Sequence, residues 1–209
     1  MRLLKFTAMT AIITAFAIGL APPAMATEEP AHTVVERVGA IEIRAYAAMI
    51  VAEVEVAGDQ TSASNRGFRP LANYIFGGNT PRQEIAMTAP VTARPQGQEI
   101  AMTAPVTAEA GANGRWTVAF VMPSEWTMET LPEPADPTVT LREVEPRRIA
   151  VITFNGGRSE RRFAAREAEL MAFLSARGLS PASAPTYAYY SPPWIPPPLR
   201  RNEIWVELS

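Results

Sequence analysis

The chain has 209 residues, with 19 basic and 21 acidic side chains, a single histidine and no cysteine. The lack of cysteine excludes disulfide bonds, thiolate metal sites and cysteine nucleophiles. A net charge of −2 makes nucleic acid a poor candidate for the partner, because binding to phosphate backbones depends on clustered positive charge.

The first 26 residues have the pattern of a secretory signal peptide. Arg2 and Lys5 precede the apolar stretch 6–20, and the small-residue site Ala24-Met25-Ala26 follows. The apolar stretch is shorter than the ~20 residues that a membrane-spanning helix needs. We therefore expect cleavage before Thr27 and no membrane anchor after cleavage. The mature chain, residues 27–209, has the length of a single domain and would reside in the periplasm or be secreted.

The first elements after the signal are three strands and a helix. Alternating apolar and polar residues predict strands at 34–38, 41–46 and 49–56. Four apolar residues then recur at the spacing of one helix face, namely Phe68, Leu71, Ala72 and Ile75. The spacing predicts a helix over 62–76, which Gly77 and Gly78 would end.

An exact repeat follows the first helix. The eleven residues from Gln83 to Ala93 recur without change from Gln98 to Ala108. We interpret the two copies as strands of a β-hairpin with a turn at 94–97, or as a local duplication in a loop. In the hairpin register Ile85 opposes Val106 and Met87 opposes Ala104. One face would then be apolar and carry both Met87 and Met102, and the threonines would lie on the other face.

The second half of the chain repeats the order of the first. Further strands are predicted at 116–122, 139–144, 148–154, 185–190 and 203–208. A second amphipathic helix is predicted over 159–177, with Ser159 as N-cap and Gly178 after its end. The order strand, helix, strand, strand therefore occurs twice. This predicts an α+β fold in which two similar halves close antiparallel strands into a barrel-like body with two helices.

Five segments of the chain resemble the SOUL haem-binding protein family, and they occur in the family's order. These segments are Ile43-Arg44-Ala45-Tyr46, residues 68–79, the two Met-Thr-Ala-Pro-Val copies, residues 116–123, and the closing Pro192-Pro193-Trp194 with Arg201-Asn202-Glu203-Ile204-Trp205. The resemblance covers nearly all of the mature chain. It implies a distorted eight-stranded antiparallel β-barrel made of two similar halves and flanked by two α-helices.

The resemblance also implies a ligand, which is haem or a related porphyrin held in a shallow apolar groove beside the first helix. Carried over to this chain, the groove would be lined by Asn65, Phe68, Arg69 and Ala72, with the Met87 segment nearby. Some family members bind haem without an axial ligand from the protein. This helix differs from that of animal members, which offer methionine and basic residues where this chain has Phe68, Ala72 and Asn73.

Few residues could ligate the iron of a haem. Haem iron is usually held by His, Cys, Met or Tyr. His32 lies six residues after the expected N-terminus, where we expect a frayed chain end, and it is a poor axial candidate. Met87 and Met102 are soft donors, although methionine on an apolar face usually fills a core. The haem propionates would suit a guanidinium, for which Arg69, Arg200 and Arg201 are candidates.

The sequence shows no pattern of a catalytic site. It has no recognisable pair of nucleophile and base, no phosphate-binding loop and no zinc motif, so we do not expect an enzyme. The leading hypothesis is an exported binder or carrier of haem or a related tetrapyrrole. One alternative is a sensor or scavenger of another small apolar ligand, since fold does not determine function. Another is a protein-interaction module that uses the proline-rich stretch from Pro192 to Pro198, which otherwise is a rigid connector.

Overall fold

The computed structural model describes residues 27–81, 97–111, 114–192 and 194–209. Within these ranges the chain forms eleven β-strands, two α-helices and a short 3-10 helix. The bounds are β1 His32–Val38, β2 Ile41–Tyr46, β3 Met49–Ala57, α1 Gln60–Ile75, β4 Asn79–Thr80, β5 Val106–Ala110, β6 Arg115–Val121, β7 Glu133–Pro134, β8 Thr140–Val144, β9 Arg147–Asn155, α2 Glu160–Ala176, β10 Thr186–Tyr189, the 3-10 helix Pro197–Leu199 and β11 Arg201–Glu207. Neither of these α-helices has the length and hydropathy of a membrane span.

Nine of the described strands form one antiparallel sheet. Their order across the sheet is β1-β2-β9-β11-β10-β5-β6-β3-β8, and the two-residue strands β4 and β7 pair separately. The α+β class is confirmed. The sheet is curled into a half-barrel, with β1 and β8 at its two ends. Its strand count differs from the expected eight because β1 adds a ninth strand at the edge, beside β2.

The sheet consists of two halves with the same connectivity. The first half runs β2-β3-α1-β5-β6 and the second runs β8-β9-α2-β10-β11, apart from the small strands β4 and β7. The halves meet where β5 pairs with β10. The first strand of each half pairs with the other half, since β2 lies against β9 and β8 lies against β3. Each half therefore completes the sheet of the other.

Both helices cover the same face of the sheet. Leu71, Tyr74 and Ile75 of α1, and Phe163, Leu170 and Leu174 of α2, are buried in the main core with alternate residues of the strands. The remaining strand residues face the other side, where Val151 and Trp205 form a second buried cluster and Val51 and Val121 a third. Met49 packs against both of these clusters. This contact joins residues from the two halves and follows from the curl of the sheet.

The first helix lies very close to the sheet. Its N-cap is Asp59, whose carboxylate accepts a hydrogen bond from the Ser62 N–H at 2.9 Å. A Cβ placed on Gly67 would lie 2.5 Å from the Cβ of Val118 in β6, so only glycine allows this approach. The N-cap of α2 is Ser159, as expected, although its side chain makes no capping hydrogen bond.

The predicted hairpin is wrong for the copy of the repeat that the structure describes. The first copy, with Met87, lies outside the described residues. In the second copy only 106–108 are in a strand, and β5 is paired on one side with β10 and on the other with β6. Val106 therefore has no free edge for pairing with Ile85. The expected alternation also fails, because Thr103 is buried and Met102 is exposed.

The segment around His32 is part of the sheet, contrary to our expectation of a frayed chain end. His32 is the first residue of β1, and its ring packs on that of Tyr46 with 4.9 Å between centroids. The pairing of β1 with β2 explains the order, because it ties this segment to the sheet.

Candidate functional site

The outer face of α1 carries a stripe of accessible residues. Asn65, Phe68, Arg69 and Ala72 are spaced so that they lie on one side of a helix. The first three are exposed and Ala72 is half-buried. Phe68 is 38% exposed, and its ring makes an edge-type contact with that of Phe120 in the core, with 5.3 Å between centroids. The four helix residues of the predicted site are therefore brought together.

The stripe continues to a residue that the sequence analysis missed. Phe76 follows Ala72 by four positions, caps α1 and is 62% exposed. The signal for it was available, because Phe76 is eight residues after Phe68 and so falls on the same side of the helix. We call Asn65, Phe68, Arg69, Ala72 and Phe76 the α1 stripe.

The segment 97–105 lies against the C-terminal end of the α1 stripe. Phe76 forms an isolated bridge with Glu99, and the Ile100 N–H donates to the Ile75 carbonyl at 2.8 Å. The Asn79 side chain supports this contact through two 2.8 Å hydrogen bonds with the backbone of Gln98. The segment is therefore held by the turn after α1.

Met102 is the residue of this segment that faces outward. Ile100 and Thr103 on its two sides are buried, and the Thr103 hydroxyl donates to the Val121 carbonyl. Met102 itself is 42% exposed. Two residues span at most about 7 Å, so Met102 lies near Ile100 and hence near the end of the α1 stripe. Met102 is thus an exposed residue of the segment that adjoins the end of the α1 stripe, although no strand carries it.

The basic residues proposed for haem propionates differ in position. Arg69 is exposed on the α1 stripe and makes no ion pair within the described regions of the chain. The Arg200 guanidinium donates to the Ile195 carbonyl at 2.7 Å, and Arg201 pairs with Glu29 and Glu203. Arg69 is therefore the candidate that the structure brings to this surface.

A buried charge cluster lies on the sheet face away from the helices. The carboxylate of Glu203 is fully buried and accepts two hydrogen bonds from Arg44, at 3.0 and 3.1 Å. It also accepts hydrogen bonds from four other side chains at 2.7 to 3.1 Å, namely those of Thr153, Tyr190, Arg201 and Trp205. We call Glu203 and these five partners the Glu203 cluster.

The Glu203 carboxylate is held in its charged form. Burial alone would raise its pKa, but the hydrogen bonds and the positive charge of Arg44, with those of Arg201, lower the pKa to about 2. Burial raises the pKa of the neighbouring Tyr46 phenol to about 12. Glu203 is therefore charged near neutral pH, and its two arginines are also paired with the carboxylates of Glu42 and Glu29.

Two cavities lie away from the α1 stripe. One, of about 450 Å³, is beside the first turns of α2 and is lined by Ser159, Arg161, Arg162, Ala165, Arg166 and Glu169. The other, of about 410 Å³, lies at β1 and β2 above the Glu203 cluster. Its three arginines, Arg37, Arg44 and Arg201, are each paired with a glutamate. Among the described residues, no group of three or more His, Asp or Glu is placed to hold a metal ion.

The family profile described as SOUL heme-binding protein matches residues 27–207. The chain belongs to the SOUL heme-binding protein family. This membership supports the binding of haem or another tetrapyrrole in general. No curated protein matches the chain.

Solved structures with the same fold are only distantly related in sequence to this SOUL protein. A hydrolase from Listeria innocua has a TM-score of 0.54 at 15% identity, over 81% of this chain and 91% of that chain. The EcmrR C-terminal domain has a TM-score of 0.59 at 11% identity, over 81% and 96%. An uncharacterized conserved protein from Listeria innocua has a TM-score of 0.52 at 15% identity, over 81% and 92%. At these identities the likeness shows the fold alone.

The chemistry of the α1 stripe fits a tetrapyrrole in a SOUL protein. Phe68 and Phe76 offer aromatic surface to a flat ring, Met102 offers a thioether, and Arg69 offers a guanidinium to a carboxylate. The ring of His32, in β1, packs on that of Tyr46, and its Nδ1 lies 3.0 Å from the Pro30 carbonyl oxygen. The donors near the stripe suit contact with a tetrapyrrole ring and its carboxylates.

Proposed function

We propose that this chain is an exported, non-enzymatic binder or carrier of haem or a related tetrapyrrole, and that the ligand lies on the α1 stripe beside Met102. The observation that carries the proposal is that Phe68 and Phe76 on α1 are exposed, as is Met102 in the segment that is bridged to Phe76. Exposed apolar groups gathered on one surface are typical of a binding site.

The physical gain on binding would come from burial of these side chains against the macrocycle. Apolar surface removed from water stabilises a complex by roughly 25 cal/mol per Å². Aromatic rings add a preference for offset or edge contacts with a flat partner. The Arg69 guanidinium would pair with a propionate, which fixes the orientation of the ring on the stripe. In this proposal the protein supplies no histidine ligand to the iron.

A haemin titration followed by the Soret band tests the proposal. We expect a saturable shift for the full chain, weaker binding for Phe68→Ala, and unchanged binding for Val35→Ala, an exposed apolar residue of β1. Absence of a saturable shift at micromolar haemin would contradict the proposal. If Phe68→Ala and the parent bind haemin with equal affinity, the ligand does not lie on the α1 stripe.

Two arginines of α1 provide a matched control for the carboxylate contact. Arg69 lies on the stripe. The Arg66 guanidinium instead lies beside Gly58, near the start of α1, where a Cβ added to that glycine would be 3.2 Å from it. We expect Arg69→Gln to weaken haemin binding and Arg66→Gln to leave it unchanged. Haemin dimethyl ester, which lacks free carboxylates, should bind both variants alike.

Export is tested separately from ligand binding. We expect the protein recovered from its host to begin at Thr27 and to fractionate with periplasmic or secreted proteins. N-terminal sequencing of the recovered protein would contradict the expectation if it began at Met1.

A further inference from the structure

The segment 194–200 carries the two most exposed large apolar residues of the described chain. Trp194 is 78% exposed and Leu199 is 68% exposed. Both belong to the proline-rich connection between β10 and β11, where the residues in between include Pro196, Pro197 and Pro198. Neither side chain packs into the core clusters. The haem-binding proposal does not use this surface.

Hydrogen bonds and prolines fix the shape of this connection. The Ile195 N–H donates to the Pro192 carbonyl at 3.1 Å, and the Arg200 guanidinium donates to the Ile195 carbonyl at 2.7 Å. Pro197 to Leu199 form a 3-10 helix, in which proline also limits the backbone. Trp194 and Leu199 are thus presented by a stiff loop.

Positive charge surrounds the loop where it meets the start of α2. The loop contacts the segment just before α2 at two points. The Gly156 N–H donates to the Arg200 carbonyl at 2.9 Å, and a Cβ added to Gly157 would lie 3.4 Å from Pro197. The Arg162 guanidinium covers Gly156 and donates to the Gly157 carbonyl at 3.2 Å. The Arg158 guanidinium lies 4.1 Å from the centre of the Tyr189 ring.

The local charge is opposite in sign to that of the whole chain. Residues 156–166 and 194–200 contain five arginines and one acid, Glu160, although the chain as a whole has a net charge of −2. Of the acids farther along α2, Glu167 accepts a hydrogen bond from Tyr187 and Glu169 pairs with Arg166. Arg158 and Arg162 make no ion pair within the described residues.

We propose that Trp194, Leu199 and the arginines at 158–162 form a docking surface for a membrane that exposes anionic phospholipid headgroups. Tryptophan prefers the interface between water and lipid, leucine enters the acyl boundary, and guanidinium groups pair with phosphate. The combination of a stiff apolar tip and a basic border favours this partner over an apolar protein groove, which would need no arginine. The contact is peripheral and reversible, and it differs from a membrane anchor.

A fluorescent label on the loop tests the proposal with the full chain. Because the chain has no cysteine, Leu199→Cys gives a single site for an environment-sensitive dye, and Val35→Cys on β1 gives a matched exposed control. With vesicles of phosphatidylglycerol and phosphatidylcholine we expect a several-fold rise in emission from the label at 199 and none at 35. Vesicles of phosphatidylcholine alone should produce little change.

The role of charge is tested in the same labelled protein. A basic residue near an anionic bilayer is expected to strengthen binding about fivefold, so Arg158→Gln with Arg162→Gln should weaken it by roughly 25-fold. The matched pair Arg37→Gln with Arg115→Gln should change it much less. No rise at position 199, or an equal response to uncharged vesicles, would overturn the proposal. An equal rise at positions 199 and 35 would also overturn it, and would assign the attachment to the apolar stretch 6–20.

Discussion

Glu203 shows how a charge is kept inside this fold. A buried carboxylate is costly unless it is paired and its oxygen atoms accept hydrogen bonds. Glu203 meets both conditions, because two arginines and three neutral donors surround it. The donors come from β2, β9, β11 and the end of β10, so the carboxylate links four neighbouring chain segments.

The substitution Glu203→Gln is expected to destabilise the protein by up to about 3–5 kcal/mol, because it leaves the buried Arg44 with Glu42 as its only carboxylate partner among the described residues. The same change at Glu55 is a matched control. The ion pair of Glu55 with Arg115 is exposed to solvent, so its loss should cost at most about 1 kcal/mol. Urea unfolding followed by circular dichroism gives both values. Equal losses for the two variants would contradict the assigned role of the Glu203 cluster.

The Glu203 cluster also predicts a loss of stability in acid. The folded pKa of Glu203 is about 2, against 4.5 for an ordinary glutamate, so the unfolded chain takes up a proton first as pH falls. The stabilisation, of about 3 kcal/mol, is complete above pH 4.5 and is lost as pH falls through about 2. Unfolding free energies measured across this range should fall more steeply for the parent than for Glu203→Gln. Parallel pH profiles would count against the lowered pKa.

The residues that carry the SOUL resemblance lie in two different parts of the structure. Phe68, Arg69 and Ala72 lie on the α1 stripe, as expected from the sequence. Arg44 and Glu203, from two other segments of the resemblance, instead meet in the buried cluster. Strand periodicity could not predict this contact, since it depends on β2 and β11 being the two neighbours of β9.

At the scale of elements, α1 is held by a contact that leaves no room for a side chain. Gly67→Ala is expected to destabilise the protein by about 1–3 kcal/mol, because the new methyl group would overlap Val118. This cost is reduced by the better helix propensity of alanine, which is worth up to about 1 kcal/mol. Chemical denaturation of the single variant gives the net effect.

Val118→Ala provides the control for this prediction. If the overlap is the cause, Gly67→Ala should cost much less in a Val118→Ala background, and a double-mutant cycle should show the coupling. Additive effects of the two substitutions would mean that Gly67 is needed for another reason.

The helices could be predicted from the sequence and some of the strand pairing could not. Both helices were placed within two residues of their bounds at each end, because an amphipathic period of 3.6 and glycines after the last turn give clear signals. The strands β4 and β7 have two residues each, too few for any period. The hairpin prediction failed because the segment 98–105 is held by single contacts to α1 and β6, which an alternating pattern does not reveal.

At the scale of the whole molecule, the repeated order of strand, helix, strand and strand was predicted correctly, but the exchange between the halves was not. The hairpin of β1 and β2 joins the sheet through β9 of the other half, and β8 joins it through β3. Local sequence patterns contain no information on which half a strand pairs with. Because of this exchange, we expect residues 27–209 to form a single folding unit despite the two similar halves.

The strand exchange predicts that the halves fold only together. A cut in the exposed turn at Asp136, which caps Thr138, separates residues 27–136 from 137–209 without removing a strand of the large sheet. Each fragment alone would expose one side of β5 or β10. The cut also separates the β1-β2 hairpin from β9, and it leaves β8 without its partner β3. We expect neither fragment alone to show a cooperative unfolding transition. An equimolar mixture should regain one, because association would pair the free backbone groups and bury the apolar strand faces. Circular dichroism during thermal unfolding measures both states. A cooperative transition in an isolated fragment would show that one half is stable by itself, and the exchanged strands would then be additions to two separate folding units.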